Sequence, residues 1–212
     1  MMIAGVDEAG RGPIIGPMII AGVKIKEEDQ EKLIRIGVKD SKVLTSKKRQ
    51  KLCLKIIELC VDYVYEIITP KEIDQAVFYK RRTGIGVLNE LEAKAMAKVI
   101  NKMKPDVVYV DSVDVNENRF KRMIIEKLEY KIEVIARHKA DAIYPVVSAA
   151  SIMAKVKRDS IIEEIKRIYG DIGSGYPSDM KTIRFIKECI KSGELPDFVR
   201  KSWSTIKRIK MD

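Results

Sequence analysis

Asp7 and Glu8 stand side by side near the start of the chain, after the apolar run Met2-Ile3-Ala4-Gly5-Val6 and just before Ala9-Gly10-Arg11-Gly12. Adjacent carboxylates can hold a divalent cation. Glycines let a backbone approach a ligand closely, and an arginine between them can grip phosphate. The string therefore points to a metal and to a phosphate-bearing substrate. Two further acids fit the same chemistry. Asp111 ends the apolar run Val107-Val108-Tyr109-Val110, and Asp141 opens a long helical stretch, where local rules would equally make it an N-cap. Three or four clustered carboxylates suit a pair of divalent cations roughly 3.5–4 Å apart, clamping the attacking and leaving oxygens of a phosphodiester displacement. Hard oxygen ligands favour Mg²⁺, with Mn²⁺ as the alternative.

Each acid has a bland reading when taken singly, since the chain carries 31 of them. In a regular strand Asp7 and Glu8 would point to opposite faces, so a shared site calls for a frayed or bulged strand, which Gly10 makes feasible. His138 is the one histidine, which excludes chemistry needing two. No Gly-x-Ser-x-Gly turn accompanies it, and it reads as peripheral or as an assisting proton carrier.

Such residues need strands that end where they stand. Residues 2–8 and 14–25 read as strands joined by a Gly-rich link, hence an antiparallel hairpin. Thr45 caps a helix running to about Val61, Tyr63 to Thr69 alternates like a strand, and Pro70 starts a short helix. Gly84 to Met103 has helical spacing and is stopped by Pro105. Val107 to Asp111 is apolar enough for a buried parallel strand. A helix over Asn116 to Glu129, a strand over Lys131 to Arg137 and a long helix over Ala142 to Tyr169 follow. Pro145 fits that helix only in its first turn. After the Gly/Pro loop from Gly170 to Pro177 come helices over about 178–192 and 202–210. This order predicts an α/β fold: a mixed sheet with helices on both faces and an α-helical C-terminal extension. The expected division is a catalytic domain over 1–172 and an extension over 173–212 packed on it.

The 212 residues suffice for a real core, and the balance of 46% hydrophobic and 34% charged residues is that of a soluble folded chain. The longest apolar stretch, Pro13 to Val23, is broken by Gly16 and Pro17, which excludes a membrane span; no secretory signal is evident, and a cytoplasmic location is expected. Cys53, Cys60 and Cys189 lack zinc-type spacing, and the first two look like helical core positions in a reduced protein. Abundant Lys, Glu and Ile with only three Gln and four Asn lean thermophilic. The net charge of +10 is concentrated: residues 39–55 carry seven Lys/Arg against one Asp, and residues 180–212 carry nine against four acids. Two basic segments suggest a polyanion, most often nucleic acid, although solvated helix faces would look alike.

Several motifs together resemble type 2 ribonuclease H (ribonuclease HII), in its archaeal form. Asp7-Glu8-Ala9-Gly10-Arg11-Gly12-Pro13 is similar to the family signature. Lys39-Asp40-Ser41-Lys42, Tyr109-Val110-Asp111-Ser112, Lys139-Ala140-Asp141 with Ser148-Ala149-Ala150-Ser151-Ile152 and Ala154-Lys155-Val156, Gly173-Ser174-Gly175-Tyr176-Pro177-Ser178-Asp179, and Ser202-Trp203 resemble its other motifs in order and spacing. Met180 departs from the pattern, where many members carry a second proline after the Ser-Asp pair. The resemblance implies a ribonuclease H-like fold and a metal-dependent endoribonuclease. Its substrates would be the RNA strand of RNA–DNA hybrids and single ribonucleotides in duplex DNA. Cleavage 5′ of the ribonucleotide would leave 3′-hydroxyl and 5′-phosphate ends. It further implies two Mg²⁺ or Mn²⁺ ions on Asp7, Glu8, Asp111 and Asp141, with Asp7 bridging. Gly10, Arg11 and Gly12 would contact the 2′-hydroxyl and nearby phosphate, Tyr176 would stack on the sugar beyond the junction, and Lys42 would touch a phosphate. Only the 2′-hydroxyl separates RNA from DNA at one nucleotide.

Two other classes compete on the acids and charge alone. A phosphoacceptor signalling domain also sets acids after strands, but leaves Gly-Arg-Gly unexplained. A non-catalytic nucleic-acid binder needs only charge, and carboxylates beside phosphates would hinder it. Nothing demands a dimer, and a monomer is expected. The tail from Ile206 to Asp212 is a candidate site for a replication partner, although it shows no clear clamp-binding motif.

Overall fold

Met2–Ala9 (β1) and Met18–Lys26 (β2) pair antiparallel without a break in register, from Met2 opposite Lys26 to Ala9 opposite Ile19. The structure is a computed structural model that describes residues 1–38, 44–83 and 87–211. The expected hairpin is present, but β2 starts four residues later than position 14. Pro13, Gly16 and Pro17 explain the delay. Prolines cannot donate to a ladder, and Gly16 adopts a left-handed φ of +87°. Ile14 and Ile15 instead enter an apolar cluster with Ile162, Ile172, Ile186, Val199 and Ile206.

Asp62–Ile68 (β3), Val107–Asp111 (β4) and Glu133–Arg137 (β5) complete a five-stranded sheet in the order β3-β2-β1-β4-β5. β1 runs parallel to β4, and β4 parallel to β5. The sheet is therefore mixed, as expected.

The helices are Gln30–Arg35 (α1), Ser46–Leu59 (α2), Pro70–Thr83 (α3), Val87–Met103 (α4), Glu117–Ile125 (α5), Ala140–Ile143 (α6), Pro145–Tyr169 (α7), Met180–Lys191 (α8) and Ser204–Met211 (α9). Local chemistry sets many of their ends. Thr45 Oγ1 accepts from the Lys48 amide, and the Asn116 side chain accepts from the Arg119 amide, each a helix N-cap. The expected single helix from Ala142 is divided at Tyr144, whose extended backbone (φ −111°, ψ 117°) separates α6 from α7. A residue before proline is pushed out of the helical region, and Pro145 then opens the next helix at no hydrogen-bond cost.

Two glycines let helices lie against opposite faces of the sheet. Gly5 packs directly against the Val146–Val147 backbone of α7. Gly22, opposite Val6 in the ladder, packs against Val99 and Met103 of α4. Residues 5 and 6 alternate in facing, so α7 and α4 cover different sides.

The chain forms two compact units, each discontinuous in sequence. The first is Met1–Ala9, Ile19–Glu66 and Asn89–Val156; the second is Gly10–Met18, Ile67–Leu88 and Lys157–Asp212. The point between residues 172 and 173 lies inside the second. Among the described residues, no helix is long and apolar enough to cross a membrane.

The two glycines should respond unequally to a methyl group. At Gly5 the methyl would meet main chain that cannot move without shifting α7; at Gly22 it would meet the flexible end of Met103 and a Val99 methyl. Gly5→Ala should cost about 3 kcal/mol, the upper part of the overpacking range, and Gly22→Ala less than half of that. Denaturant unfolding measures both, and equal costs would contradict the close helix approach at Gly5.

Candidate active site

The β1–β4 ladder ends with Val6 opposite Val110, so the next residue of each strand is an acid: Asp7 on β1 and Asp111 on β4. Their carboxylates meet at the carboxyl ends of two neighbouring parallel strands, where sites of α/β sheets form. Glu8 joins them. One carboxylate oxygen from each of Asp7, Glu8 and Asp111 lies within 4.8 Å of the others. Of the two ways expected, a frayed or a bulged strand, the bulge is absent: β1 stays paired with β2 through Glu8–Ile20 and Ala9–Ile19. The ladder to β4 has already stopped, which leaves that edge open for the longer Glu8 side chain to reach around. The Asp7 carboxylate folds back to accept the Glu8 amide at 2.7 Å.

The cluster is electrostatically costly. Burial is the largest cause that raises the Asp7 carboxyl well above the ordinary range, and the charge of Glu8 adds to it. A hydrogen bond from the Ser151 hydroxyl and the charge of Lys155 work in the opposite direction. Both come from α7, one turn apart, with Lys155 Nζ donating to Ser151 Oγ at 2.7 Å. Glu8 is also raised, first by burial; the hydrogen bond with Asp7 opposes this, and the charges of Glu92 and Asp111 reinforce it. Glu92 on α4 is fully buried. Glu8 Oε2 is buried with no hydrogen-bond partner among the described residues. Hard oxygens held together, one of them orphaned, fit a divalent cation of the Mg²⁺ or Mn²⁺ type.

Asp111 also organises the next element. Its Oδ1 accepts the Ala140 amide at 2.6 Å, at the start of α6. Lys139, in the left-handed region at φ 55°, turns the chain into that helix. Asp141 follows, buried within α6 and not at its N-cap. Among the described residues, the set within 4.8 Å holds Asp7, Glu8 and Asp111 and does not include Asp141. His138 is tied to local structure. Its Nε2 lies 2.6 Å from the Asp114 carbonyl oxygen, and its backbone N–H donates to Glu117 at 2.6 Å.

Gly10–Pro13 and the tyrosine loop belong to the second unit. Gly10 has φ +90°, and a side chain there would strike Arg158 and the Pro17 carbonyl, so the turn is closed to other residues. Arg200 donates to the carbonyls of Gly10 at 2.5 Å, Arg11 at 2.9 Å and Gly16 at 2.9 Å. The Trp203 indole donates to the Gly12 carbonyl at 3.1 Å. The tyrosine loop is equally fixed: Gly175 accepts from Ile14 at 2.8 Å and its amide donates to Thr182 at 3.0 Å. Tyr176 is 41% exposed, with the Arg158 guanidinium 5.2 Å from its ring centre. Met180 is exposed in the first turn of α8, which Asp179 caps. Lys42, with the rest of Lys39–Ser41, lies outside the described residues.

Sequence reasoning missed Glu92, Ser151, Lys155, Arg158 and Arg200 as parts of these sites. The i, i+4 spacing of Ser151 and Lys155 was a usable signal. Glu92 and the two arginines look like ordinary surface charges in a lysine-rich chain.

The raised carboxyl of Asp7 makes a sign-definite prediction. An acid whose folded pKa is raised stabilises the fold below the unfolded pKa, and that stability is lost as pH rises through the folded value. In chelator, Asp7→Asn should therefore melt above the unsubstituted protein at pH 7–8, with the gap closing toward pH 4. Mg²⁺ should stabilise the unsubstituted protein more than the variant. Thermal melts across pH decide it, and a variant less stable at pH 8 in chelator would be the contrary result.

Residues 4–206 match the family model of Ribonuclease HII. The Ribonuclease HII of Thermococcus sibiricus is 51% identical over 212 residues, which covers 99% of this chain and 91% of that protein. Among solved structures, the ribonuclease H2 from Pyrococcus horikoshii OT3 matches with a TM-score of 0.91 at 47% identity, covering 100% of this chain and 98% of that one. The PCNA:RNase HII complex from Archaeoglobus fulgidus contains a chain that matches at 0.87 and 40% identity, covering 99% of this chain and 97% of that one. Ribonucleases HII are nuclease hydrolases that cut the RNA strand of RNA–DNA hybrids with divalent metal ions. With a ribonuclease H-like sheet, acids at its strand ends and a family match over nearly its full length, this chain belongs to the ribonuclease HII family.

Proposed function

We propose that the protein nicks the RNA strand of RNA–DNA hybrids and also single ribonucleotides embedded in duplex DNA. The cut falls 5′ of the ribonucleotide and leaves 3′-hydroxyl and 5′-phosphate ends. The observation that carries this reading is the set of Asp7, Glu8 and Asp111 oxygens within 4.8 Å of one another, next to the Gly-Arg-Gly turn in sequence. Asp7, Glu8, Asp111 and Asp141 are the residues that would hold two Mg²⁺ or Mn²⁺ ions. Such ions, when bound, activate a water and stabilise the charge on the leaving oxygen. Ser151 and Lys155 hold the Asp7 carboxylate in place for them. Asp111 does the same for the helix that bears Asp141, through the Ala140 amide.

Recognition is assigned to the turn and the loop. Gly10, Arg11 and Gly12 read the 2′-hydroxyl and the adjoining phosphate. Tyr176, exposed on a hydrogen-bonded loop, stacks on the neighbouring sugar. Lys42 is assigned a phosphate contact on the family resemblance alone. The exposed cations of α2 and α8 hold the duplex. For the tail over residues 206–212 we propose a replication partner of the PCNA kind, by extension from the Archaeoglobus fulgidus relative that was solved with one. The protein is proposed to act as a monomer.

One assay tests the core of this. A duplex with a single ribonucleotide, incubated with Mg²⁺, should yield one nick on the 5′ side of that residue and none in chelator. No nick with either Mg²⁺ or Mn²⁺ would sink the reading. Asp7→Asn, Asp111→Asn and Asp141→Asn should each lower kcat by about a thousandfold or more, the several kcal/mol that metal-assisted charge stabilisation supplies. Binding of the variants to the duplex should persist. Affinity should fall steeply with salt, with a log–log slope of about −0.9 for each phosphate contacted; a flat response would remove the basic helices from the substrate path.

A further inference from the structure

The peptides of the Gly-Arg-Gly turn are held from one side by a single buried side chain. Arg200 has 0% exposure, and its fork reaches the carbonyls of Gly10, Arg11 and Gly16. Trp203 takes the Gly12 carbonyl and lies with its ring centre 5.0 Å from the Arg200 guanidinium carbon, which locks the fork's plane.

All peptide bonds described here are trans. In a trans peptide the C=O and N–H point in opposite directions. A carbonyl of Gly10 pinned by Arg200 therefore aims the Arg11 N–H away from Arg200. The pinned Arg11 carbonyl does the same for the Gly12 N–H. Pro13 has no N–H, so the peptide held by Trp203 offers no further donor. The result is two consecutive amides facing away from a buried cation. Successive backbone N–H groups turned outward can serve as donors to an oxygen with partial or full negative charge. Gly12 is exposed, and its N–H meets no acceptor among the described residues. The cation on the carbonyl side also polarises the two peptides, strengthening their N–H groups as donors.

We propose that Arg200, locked by Trp203, is a positioning residue for sugar discrimination: it aims the Arg11 and Gly12 amides at the oxygen that marks a ribonucleotide. The proposal rests on the endoribonuclease reading above. It also explains the residue type. Lysine offers a point charge on a flexible stem, whereas arginine offers a planar fork that can hold several carbonyls at fixed angles.

The test separates aim from general stability. Affinities are measured by fluorescence anisotropy with Mg²⁺ in an Asp7→Asn background, for a duplex with one ribonucleotide and for the same duplex in all-DNA form. The Asp7→Asn parent should prefer the ribonucleotide duplex. Adding Arg200→Lys should reduce that preference by about tenfold, the worth of one or two hydrogen bonds, and Trp203→Phe by about threefold. A purely structural role would weaken both duplexes alike and leave the ratio intact; that outcome overturns the proposal. If Arg200→Lys fails to fold by circular dichroism, the ratio for Trp203→Phe decides alone. A parent without preference also overturns it. The endoribonuclease reading is judged separately, by whether the unsubstituted protein nicks the ribonucleotide duplex.

Discussion

Like charges held close together in a poorly hydrated place set the terms for the first unit. Two carboxylates at 4.8 Å repel by roughly 3–4 kcal/mol at an effective dielectric of about 20, and Asp7, Glu8 and Asp111 make such contacts among themselves. Whole domains are stable by only about 5–15 kcal/mol. Three full negative charges there would consume much of that margin. The carboxyls must therefore keep protons, as the upward shifts of Asp7 and Glu8 indicate, or have the charge cancelled from outside. A divalent cation cancels it without giving up the ionised oxygens. The same repulsion that makes the cluster a liability to the fold thus makes it a receptor.

Geometry sustains this arrangement through two absent side chains. Gly5 lets the backbone of α7 approach the sheet on one face, and Gly22 admits Val99 and Met103 of α4 on the other. The face matters because Asp7 shares the facing of Gly5 and Glu8 that of Val6. α7 is thus brought to the side of Asp7, where Ser151 and Lys155 moderate its charge, and α4 to the side of Glu8, where Glu92 raises it. The two acids receive opposite treatment from their covering helices. One is steadied by a donor and a cation; the other is pressed by a third carboxylate and has an oxygen with no hydrogen-bond partner among the described residues.

Much of this was legible from local rules. The strands ending in Asp7-Glu8 and Asp111, the caps at Thr45 and Asn116, and Pro145 in a first turn all depend on neighbours within a few residues. The strand expected from position 14 failed because Ile14 and Ile15 carry β-type bulk that serves a different apolar cluster. The division at Tyr144 was readable in principle, since the rule about residues before proline is local. Of the frayed or bulged strand expected at Asp7-Glu8, only the bulge is absent. Facing alternates along a strand, but where a ladder ends, a long side chain can pass around the open edge, and the end of the β1–β4 ladder is a tertiary fact. Glu92, Arg158 and Arg200 were illegible for a like reason, because nothing in their neighbourhoods marks them as buried.

The burial of Arg200 changes what the basic tail means. Counted by sequence, it is one of nine cations in residues 180–212. In the fold it gives nothing to the surface and its donors go to main-chain carbonyls. The electrostatic footprint falls to others. Thr182 and Ile186 are buried on α8, while Arg184, Lys187 and Lys191, at helical spacing, are exposed. Exposed cations on a helix attract a phosphate backbone whatever sugar it carries, and salt weakens them. A buried guanidinium that orients amides contributes little to that attraction and is largely sheltered from salt. Affinity and discrimination are therefore assigned to cations of one segment that differ mainly in burial, and each can change without the other.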